Sequence, residues 1–316
     1  MMRAMTGIDI IGDIHGYADP LVALLRELGY RQQGGVWRHP QRRAIFVGDF
    51  VDRGPHQQRV LEIVRGMVEA GAAEAVMGNH EYNAVCFATE DPEQPGTYLR
   101  PHTDKNRRQH AACLAQLGEG AATHREWLAW FRRLPLWLDY EGLRVVHACW
   151  HPAQQQRLAP WLDATNCLTR EGFVATSRAG SAAEEALEAV LKGLEVDLPG
   201  GAVCHDKDGH PRGRIRVRWW CPPQAMSYRD AALVTPDQRR ELPNQSMPGR
   251  VLPGYDNAKP VFVGHYWLTG EPAPLSDCVA CLDYSVAEGG KLCAYRWDGE
   301  SRLSRERFVW VGARPW

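Results

Sequence analysis

The 316-residue chain lacks a charge bias: 37 lysines and arginines stand against 38 aspartates and glutamates, for a formal charge of −1. A chain without basic excess is poorly built to coat long nucleic acid, although small or local phosphate groups remain open as ligands. It also lacks any apolar run approaching the roughly 18 residues of a membrane span. Asp9 and Asp13 interrupt the opening segment MMRAMTGIDIIGDIHG, so a signal peptide is not expected and a cytoplasmic setting is. There is no internal repeat and no low-complexity tract. The nine cysteines are odd in number and scattered, and a chain with 44% apolar residues does not need disulfide staples. They are expected to be reduced and mostly in the core. The single C-x-x-C, Cys278 and Cys281, has no second pair and sits in the apolar stretch VACLDYSV, which favours a structural role over zinc or redox chemistry. The segment SVAEGGKL lacks the first glycine and the Ser/Thr of a P-loop, so no ATP-dependent step is expected.

What is present begins with a pattern repeated along the first 81 residues: short apolar run, polar loop, helix. IDII (8–11) enters GDIHG, after which Leu21, Leu24, Leu25 and Leu28 recur at helical spacing up to Gly29. AIFV (44–47) enters GDFVDRG, and Pro55 is expected to open a helix carrying Val60, Leu61, Val64 and Val68, closed by Gly71. AEAVM (73–77) enters GNHEYN. This β-α-β-α-β order predicts an α/β fold with a parallel sheet whose polar loops gather at the carboxyl ends of the strands. Residues from about 88 to 135 lose the strand rhythm and are expected to form an inserted, largely helical cap. Further strands are expected at LRVVHA (143–148), VFVGH (261–265), VACLDYSV (279–286), KLCAYRW (291–297) and RFVWV (307–311). Ser181 to Glu184 has the form of a capping box before an amphipathic helix, and 221–259, rich in Pro, Gly and Asn, is expected to be a long loop. The whole, 1–316, is taken as one domain with insertions at about 88–135 and 150–250.

A hydrolytic centre with two metal ions needs carboxylate and imidazole donors and one donor that bridges. Asp13, His15, Asp49, Asn79, His147 and His265 form such a set, each following an apolar strand-like run. A single buried histidine is more often a satisfied core residue than a ligand; six competent residues after five strands are not explained that way.

The motifs Gly12-Asp13-Ile14-His15-Gly16, Gly48 to Gly54 (G-D-x-x-D-R-G) and Gly78-Asn79-His80-Glu81 resemble, in this order and spacing, the signature of calcineurin-like metallophosphoesterases. The Asp-Arg-Gly extension is similar to the branch holding phosphoprotein phosphatases, bis(5'-nucleosyl)-tetraphosphatases and the phosphatase module of bacterial polynucleotide kinase-phosphatases. The resemblance covers the strand framework from 8 to 297 and is weak in the insertions. It implies a two-sheet sandwich core flanked by helices. It also implies one metal on Asp13, His15 and a bridging Asp49, and a second on Asp49, Asn79, His147 and His265. Two divalent ions, Mn in the first instance with Fe, Zn, Co or Ni as alternatives, would acidify a shared water, and the resulting hydroxide would attack phosphorus. By the same resemblance His80 is the general acid, Asp52 fixes its tautomer, and Arg53 offers a planar fork to phosphoryl oxygens. Glu81 is expected to be a supporting or helix-start carboxylate. Asp283, on a strand beyond His265, is expected to line the site, where it could hold a ligand histidine.

One motif departs from the family. The usual His-Gly-Gly or His-Ala-Gly reads His147-Ala148-Cys149-Trp150, so either Trp150 shapes the substrate side or the turn differs, with an ordinary core tryptophan as the alternative. Two basic clusters could choose the substrate. One comprises Arg100, His102, Lys105, Arg107, Arg108 and His110; the other is Arg214, Arg216 and Arg218, alternating with Ile215, Val217 and Trp219. Most of these are expected on a solvated face, with Arg216, Arg218 or a cap residue as a second phosphate-binding arginine. The expected substrate is a phosphorylated small molecule or a nucleotide polyphosphate; an RNA end or a phosphoprotein is the alternative, and a non-catalytic nucleotide sensor the reading from a different class.

Overall fold

The computed structural model describes residues 7–205, 210–222, 226–248 and 252–313. Part of the opening segment and two stretches of the expected 221–259 loop therefore lie outside the described residues. The first strand, β1 (Gly7–Ile11), leads through a polar loop into α1 (Ala18–Glu27) and a hairpin, β2 (Arg31–Gln33) with β3 (Val36–Arg38). Then come β4 (Arg42–Phe46), α2 (Gln57–Glu69), β5 (Ala73–Ala75) and α3 (Asn79–Ala88). β1 pairs in parallel with β4, and β4 with β5, as the repeated pattern predicts. Alternate residues divide the faces. Ile11, Ala44 and Phe46 pack with Leu21, Leu24, Val60 and Val64 of the two helices, while Ile10, Ile45 and Val47 face a second sheet.

That second sheet runs β13-β12-β7-β6, with β6 (Trp137–Asp139), β7 (Arg144–Val146), β12 (Val261–Val263) and β13 (Val279–Cys281). Val145, Phe262 and Ala280 meet Ile10 and Ile45 between the sheets. β12 lies parallel to both β7 and β13, so His147 and His265 leave their strands at the same edge. The fold is a two-sheet α/β sandwich flanked by helices, as the family resemblance implies. The expected cap contains α4 (Asp104–Leu117) and α5 (Ala122–Phe131), which lie against α2 and α3. After the short helices α6 (Pro152–Leu158) and α7 (Arg170–Thr176), the helix α8 (Ala182–Lys192) starts at Ser181 as expected, with Ser181 Oγ accepting the Glu184 N–H. The Glu184 carboxylate takes the Gly180 N–H, so the reciprocal half of the capping box is displaced by one residue.

Three expectations need correction. VACLDYSV is not one strand: β13 belongs to the second sheet, whereas β14 (Asp283–Tyr284) pairs with β15 (Lys291–Trp297) of the first. Leu282 is the crossover, its N–H still bonded to Val263 while Asp283 already stands opposite Leu292. Pro55 does not open α2, which starts two residues later, because the Pro55 carbonyl accepts Gln116 from the cap and Gln57 folds back onto Asp52 and Gly54. The region after 221 holds two short helices, α9 (Tyr228–Ala231) and α10 (Pro236–Glu241), capped by Ser227 and Thr235. The last strand, after β8 (Glu195–Asp197), β9 (Cys204–His205), β10 (Pro211–Arg212) and β11 (Arg214–Arg216), is β16 (Phe308–Gly312) on the outer edge of β15. The described cysteines are free thiols. No helix among the described residues is long and apolar enough to cross a membrane.

A buried charge pair joins the sheet at its N-terminal end. Asp9 of β1 is wholly buried, and its Oδ1 accepts Arg42 Nε at 2.9 Å and Arg296 Nε at 3.2 Å. Burial pushes the Asp9 carboxyl upward and the two guanidinium groups pull it back. Removing one partner of a buried pair strands the other charge, at a cost of roughly 3–5 kcal/mol. Arg42→Ala is therefore expected to lower unfolding free energy by about 3 kcal/mol, the low end because Arg296 remains. Urea unfolding reads this directly, and a loss below about 1 kcal/mol would mean that the pair does not act as a buried one.

Candidate dinuclear metal centre

The polar loops put their donors where the strands stop, and the backbone there is forced into an uncommon conformation. His15, Asp49, Asp52, Arg53, His265 and Trp267 all have positive φ, between 47° and 72°. L-residues avoid this region except as isolated positions held by their surroundings, and such positions gather at functional sites. Close approach makes Gly264 obligatory: a Cβ there would sit 1.9 Å from Asp13 Oδ1.

Asp49 is the hub. Its Oδ2 lies 3.4 Å from His147 Nε2, 3.7 Å from His15 Nε2 and 3.9 Å from His80 Nε2. Two groups of donor atoms, His15-Asp49-His80 and Asp49-His147-His265, each lie within 4.8 Å of one another and share Asp49. Asn79 Oδ1 closes the second group, 2.8 Å from His265 Nδ1 and 3.2 Å from His147 Nε2. Asp13 is in neither group, His80 standing beside His15 and Asp49 in the first; Asp13 Oδ2 accepts the His265 backbone N–H, and its buried Oδ1 has no hydrogen-bond partner among the described residues. The tautomers are set from behind. Nδ1 of His15 meets the Val51 carbonyl and Nδ1 of His147 the Val47 carbonyl. A carbonyl only accepts, so Nδ1 carries the proton and Nε2 presents its lone pair to the centre, the arrangement of a metal-ligating imidazole. His15 Nε2 is buried without a hydrogen-bond partner.

The electrostatics divide the donors: His15 and His265 are lowered, His80 and His147 raised. Burial, then Asp283, pushes the Asp13 carboxyl well above its usual range; burial also raises Asp283. Burial and then His80 push His15 down to about 3, which keeps that ring neutral and able to coordinate. Burial disfavours an imidazolium at His147, yet Asp49 outweighs it and pushes that ring up to about 10, while Asp49 is held well below the usual carboxylate range despite its burial, so a cation here would take the place of the His147 proton. The residues present therefore fit a pair of divalent ions.

Glu81 is buried and supports the site through the backbone: its carboxylate accepts the N–H groups of Asp49, Phe50 and Gly78, so it fixes the Asp49 turn and the start of α3. His80 Nδ1 bonds Asp52 Oδ2 at 2.6 Å. Burial disfavours an imidazolium there, yet Asp49 and Asp52 outweigh it and raise His80. Asp283 is buried close enough to Asp13 to raise its carboxyl, and its oxygens accept the N–H groups of Trp267 and Ser285 rather than a histidine side chain, so it ties down the loop after His265. Trp150 is buried with Arg144 over its ring at 4.8 Å, at the far end of β7 from His147, which is the ordinary core role. The missing glycines are explained as well: Ala148 and Cys149 both donate to the Val190 carbonyl at the end of α8 and need no unusual φ. Of the alternating arginines, Arg216 is the one whose charge reaches His265 and Tyr266, whereas Arg218 is felt at Cys221. In the cap, Arg100 is tied to Asn106 and Gln109, Arg107 to Glu119, and His102 stacks between Phe87 and Tyr98.

Two residues beside this site carry no motif. Trp267 lies under Arg53, with the guanidinium carbon 3.8 Å from the ring centroid. His110 of α4 bonds Asp52 from the side opposite His80. The spacing from His265 to Trp267 is a weak signal for the first; nothing local signals the second.

Residues 7–172 match the family model described as calcineurin-like phosphoesterase. The chain belongs to that family. Within it, the chain is 48% identical over 73 residues to the asymmetrical bis(5'-nucleosyl)-tetraphosphatase PrpE of Halalkalibacterium halodurans, covering 23% of this chain and 30% of that protein. To the PrpE of Oceanobacillus iheyensis it is 31% identical over 142 residues, 45% of this chain and 54% of the relative. The match thus spans from under a third to about half of the length of these curated relatives. Among solved structures, a Saccharomyces cerevisiae serine/threonine phosphatase similar to human PP5 aligns over 98% of this chain and 79% of its own, at 15% identity and a TM-score of 0.49. A cold-active protein-tyrosine phosphatase of a Shewanella species aligns over 99% and 83%, at 16% and 0.48. Likeness at that level says nothing of substrate.

Proposed function

We propose that the protein is a dinuclear metal-dependent hydrolase of phosphomonoesters or nucleotide polyphosphate bonds. The observation that carries this reading is the position of Asp49, shared by two donor groups, one of which includes His80, itself bonded to Asp52. Asp13, His15 and Asp49 would hold one ion and Asp49, Asn79, His147 and His265 the other. Manganese is the first choice, and the donor set also suits iron, zinc, cobalt or nickel. Such ions would supply Lewis acidity toward phosphoryl oxygens and toward an attacking water. The chain's own residues do the rest. His80 gives a proton from Nε2 to the departing oxygen, because Nδ1 is committed to Asp52. Asp52 keeps the ring turned and favours its charged form. Arg53, raised on the face of Trp267, binds phosphoryl oxygens as negative charge develops. Free thiols suit a reducing, cytoplasmic setting.

The partial PrpE relatives make dinucleoside tetraphosphates the first natural substrate to try. The test is turnover of p-nitrophenyl phosphate with added Mn²⁺, then diadenosine tetraphosphate, phosphopeptides and 5'-phosphorylated RNA side by side. Metal-dependent turnover that a chelator abolishes is the expected result; no metal-dependent hydrolysis of any of these phosphoesters or of the phosphoanhydride would sink the reading. Preference for the phosphopeptides would instead assign a phosphoprotein phosphatase.

Arg53 also gives a binding prediction. A desolvated cation–π contact contributes up to about 2 kcal/mol. Trp267→Leu is expected to lower kcat/KM about tenfold, within that allowance. An unchanged kcat/KM would mean that Trp267 does not serve Arg53.

A further inference from the structure

Asp52 is shared. Its Oδ2 takes His80 Nδ1 at 2.6 Å, and its Oδ1 takes His110 Nδ1 at 2.7 Å, so a single buried carboxylate stands between two imidazoles. His110 lies outside the three N-terminal motifs. It belongs to α4, where it, Cys113 and Leu117 form the buried stripe at helical spacing. The ring lies 5.5 Å from Phe87, centroid to centroid, and its second nitrogen, Nε2, is buried without a hydrogen-bond partner. A ring placed for packing alone would not need the first bond, and one placed for solvation would not hide the second nitrogen. The bond to Asp52 is the one polar contact that accounts for a histidine here.

The rest of α4 braces the same turn. Gln116 Oε1 accepts the Gln57 N–H at 2.7 Å, and Gln116 Nε2 donates to the Pro55 carbonyl at 2.8 Å. Gln57 in turn accepts the Asp52 N–H at 2.7 Å and donates to the Gly54 carbonyl. The Asp52-Arg53-Gly54 turn is thus gripped by one cap helix, at the carboxylate through His110 and at the backbone through Gln116 and Gln57. This turn carries positive φ at both Asp52 and Arg53, a conformation that needs such external support.

We propose that His110 is a positioning residue for proton donation: from the cap it holds the Asp52 carboxylate in the rotamer that orients His80. The inference rests on the reading of His80 as the acid. The polar bond of the buried His110 ring is to Asp52 and not to any of the proposed metal ligands, so it is placed to act through Asp52. Both Asp52 oxygens are occupied by Nδ1 donors, and removal of the His110 donor frees Oδ1 to rotate, misaligning His80 Nε2 with the departing oxygen. Proton donation matters most when the departing oxygen is a poor leaving group and least when it is a good one. Loss of positioning therefore has a signature that a general loss of structure lacks.

The experiment uses the full-length Mn²⁺-loaded protein and two substrates with the same phosphoryl group: phenyl phosphate, a poor leaving group, and p-nitrophenyl phosphate, a good one. His110→Leu is expected to lower kcat for phenyl phosphate about tenfold more than for p-nitrophenyl phosphate, with KM nearly unchanged, a tenth or less of what a whole general acid contributes. His110→Asn, whose amide nitrogen can take the place of Nδ1 as donor, is expected to restore most of the loss. In a His80→Ala background, His110→Leu is expected to change kcat less than about twofold, since groups that act as a unit are not additive. Equal losses on the two substrates, failure of asparagine to rescue, or a full additional loss without His80 would overturn the proposal while leaving the metal-dependent reaction standing. Absence of metal-dependent turnover in the unaltered protein would overturn the reading of the site and this inference together.

Discussion

Asp49→Asn is expected to abolish nearly all metal-dependent turnover, with kcat falling by about a thousandfold, equivalent to roughly 4 kcal/mol. Asparagine is the informative replacement. It tolerates the positive φ of 55° at this position and keeps an oxygen that can accept the His80 N–H, as Asp49 Oδ1 does at 3.0 Å. What it removes is the charge common to both donor groups, so the turn survives and the bridge does not. Thermal unfolding separates the two. Added Mn²⁺ at a hundredfold excess over its dissociation constant stabilises a folded protein by about 2.7 kcal/mol. The unaltered chain should show that upward shift in melting temperature and the variant should lose most of it. An undiminished shift in Asp49→Asn would mean that Asp49 does not bridge.

The second large effect is expected at His80. Loss of a general acid costs about 10²- to 10⁴-fold, so His80→Ala should lower kcat on phenyl phosphate within that range and on p-nitrophenyl phosphate by less. The Mn²⁺-induced shift in melting temperature is the control, because His80 Nε2 stands only 3.9 Å from Asp49 Oδ2 and shares a donor group with His15. Retained metal stabilisation with lost turnover identifies an acid; loss of both identifies a ligand and reassigns the residue.

The sequence made the three N-terminal motif loops legible because each lies within a few residues of its own strand, and parallel pairing of β1, β4 and β5 then places the loops side by side. His147 and His265 were legible for the same reason in the second sheet. Other features depend on partners distant in sequence. The crossover at Leu282 turns on which strand lies opposite, and an apolar run looks alike in either sheet. The partner of Asp283 is a backbone N–H of Trp267, which no residue type announces. His110 was visible only as one of several basic residues in the cap, because its significance lies in Asp52, 58 positions away. Trp150 looked like a departure from the motif with consequences for the substrate, but its ring packs toward Arg144, a direction decided by tertiary packing.

The hydrogen bond from the His265 N–H to Asp13 spans 252 positions of the chain. During synthesis the amino-terminal donors, Asp13, His15, Asp49 and Asn79, leave the ribosome long before His265 exists. An emerging chain therefore holds only part of the proposed donor set until the parallel pairing of β12 with β7 brings His265 to it. Contacts so far apart are formed late and slowly. On the proposed assignment, a chain cut short before residue 265 would lack one donor of the second ion, whatever the soundness of its first sheet.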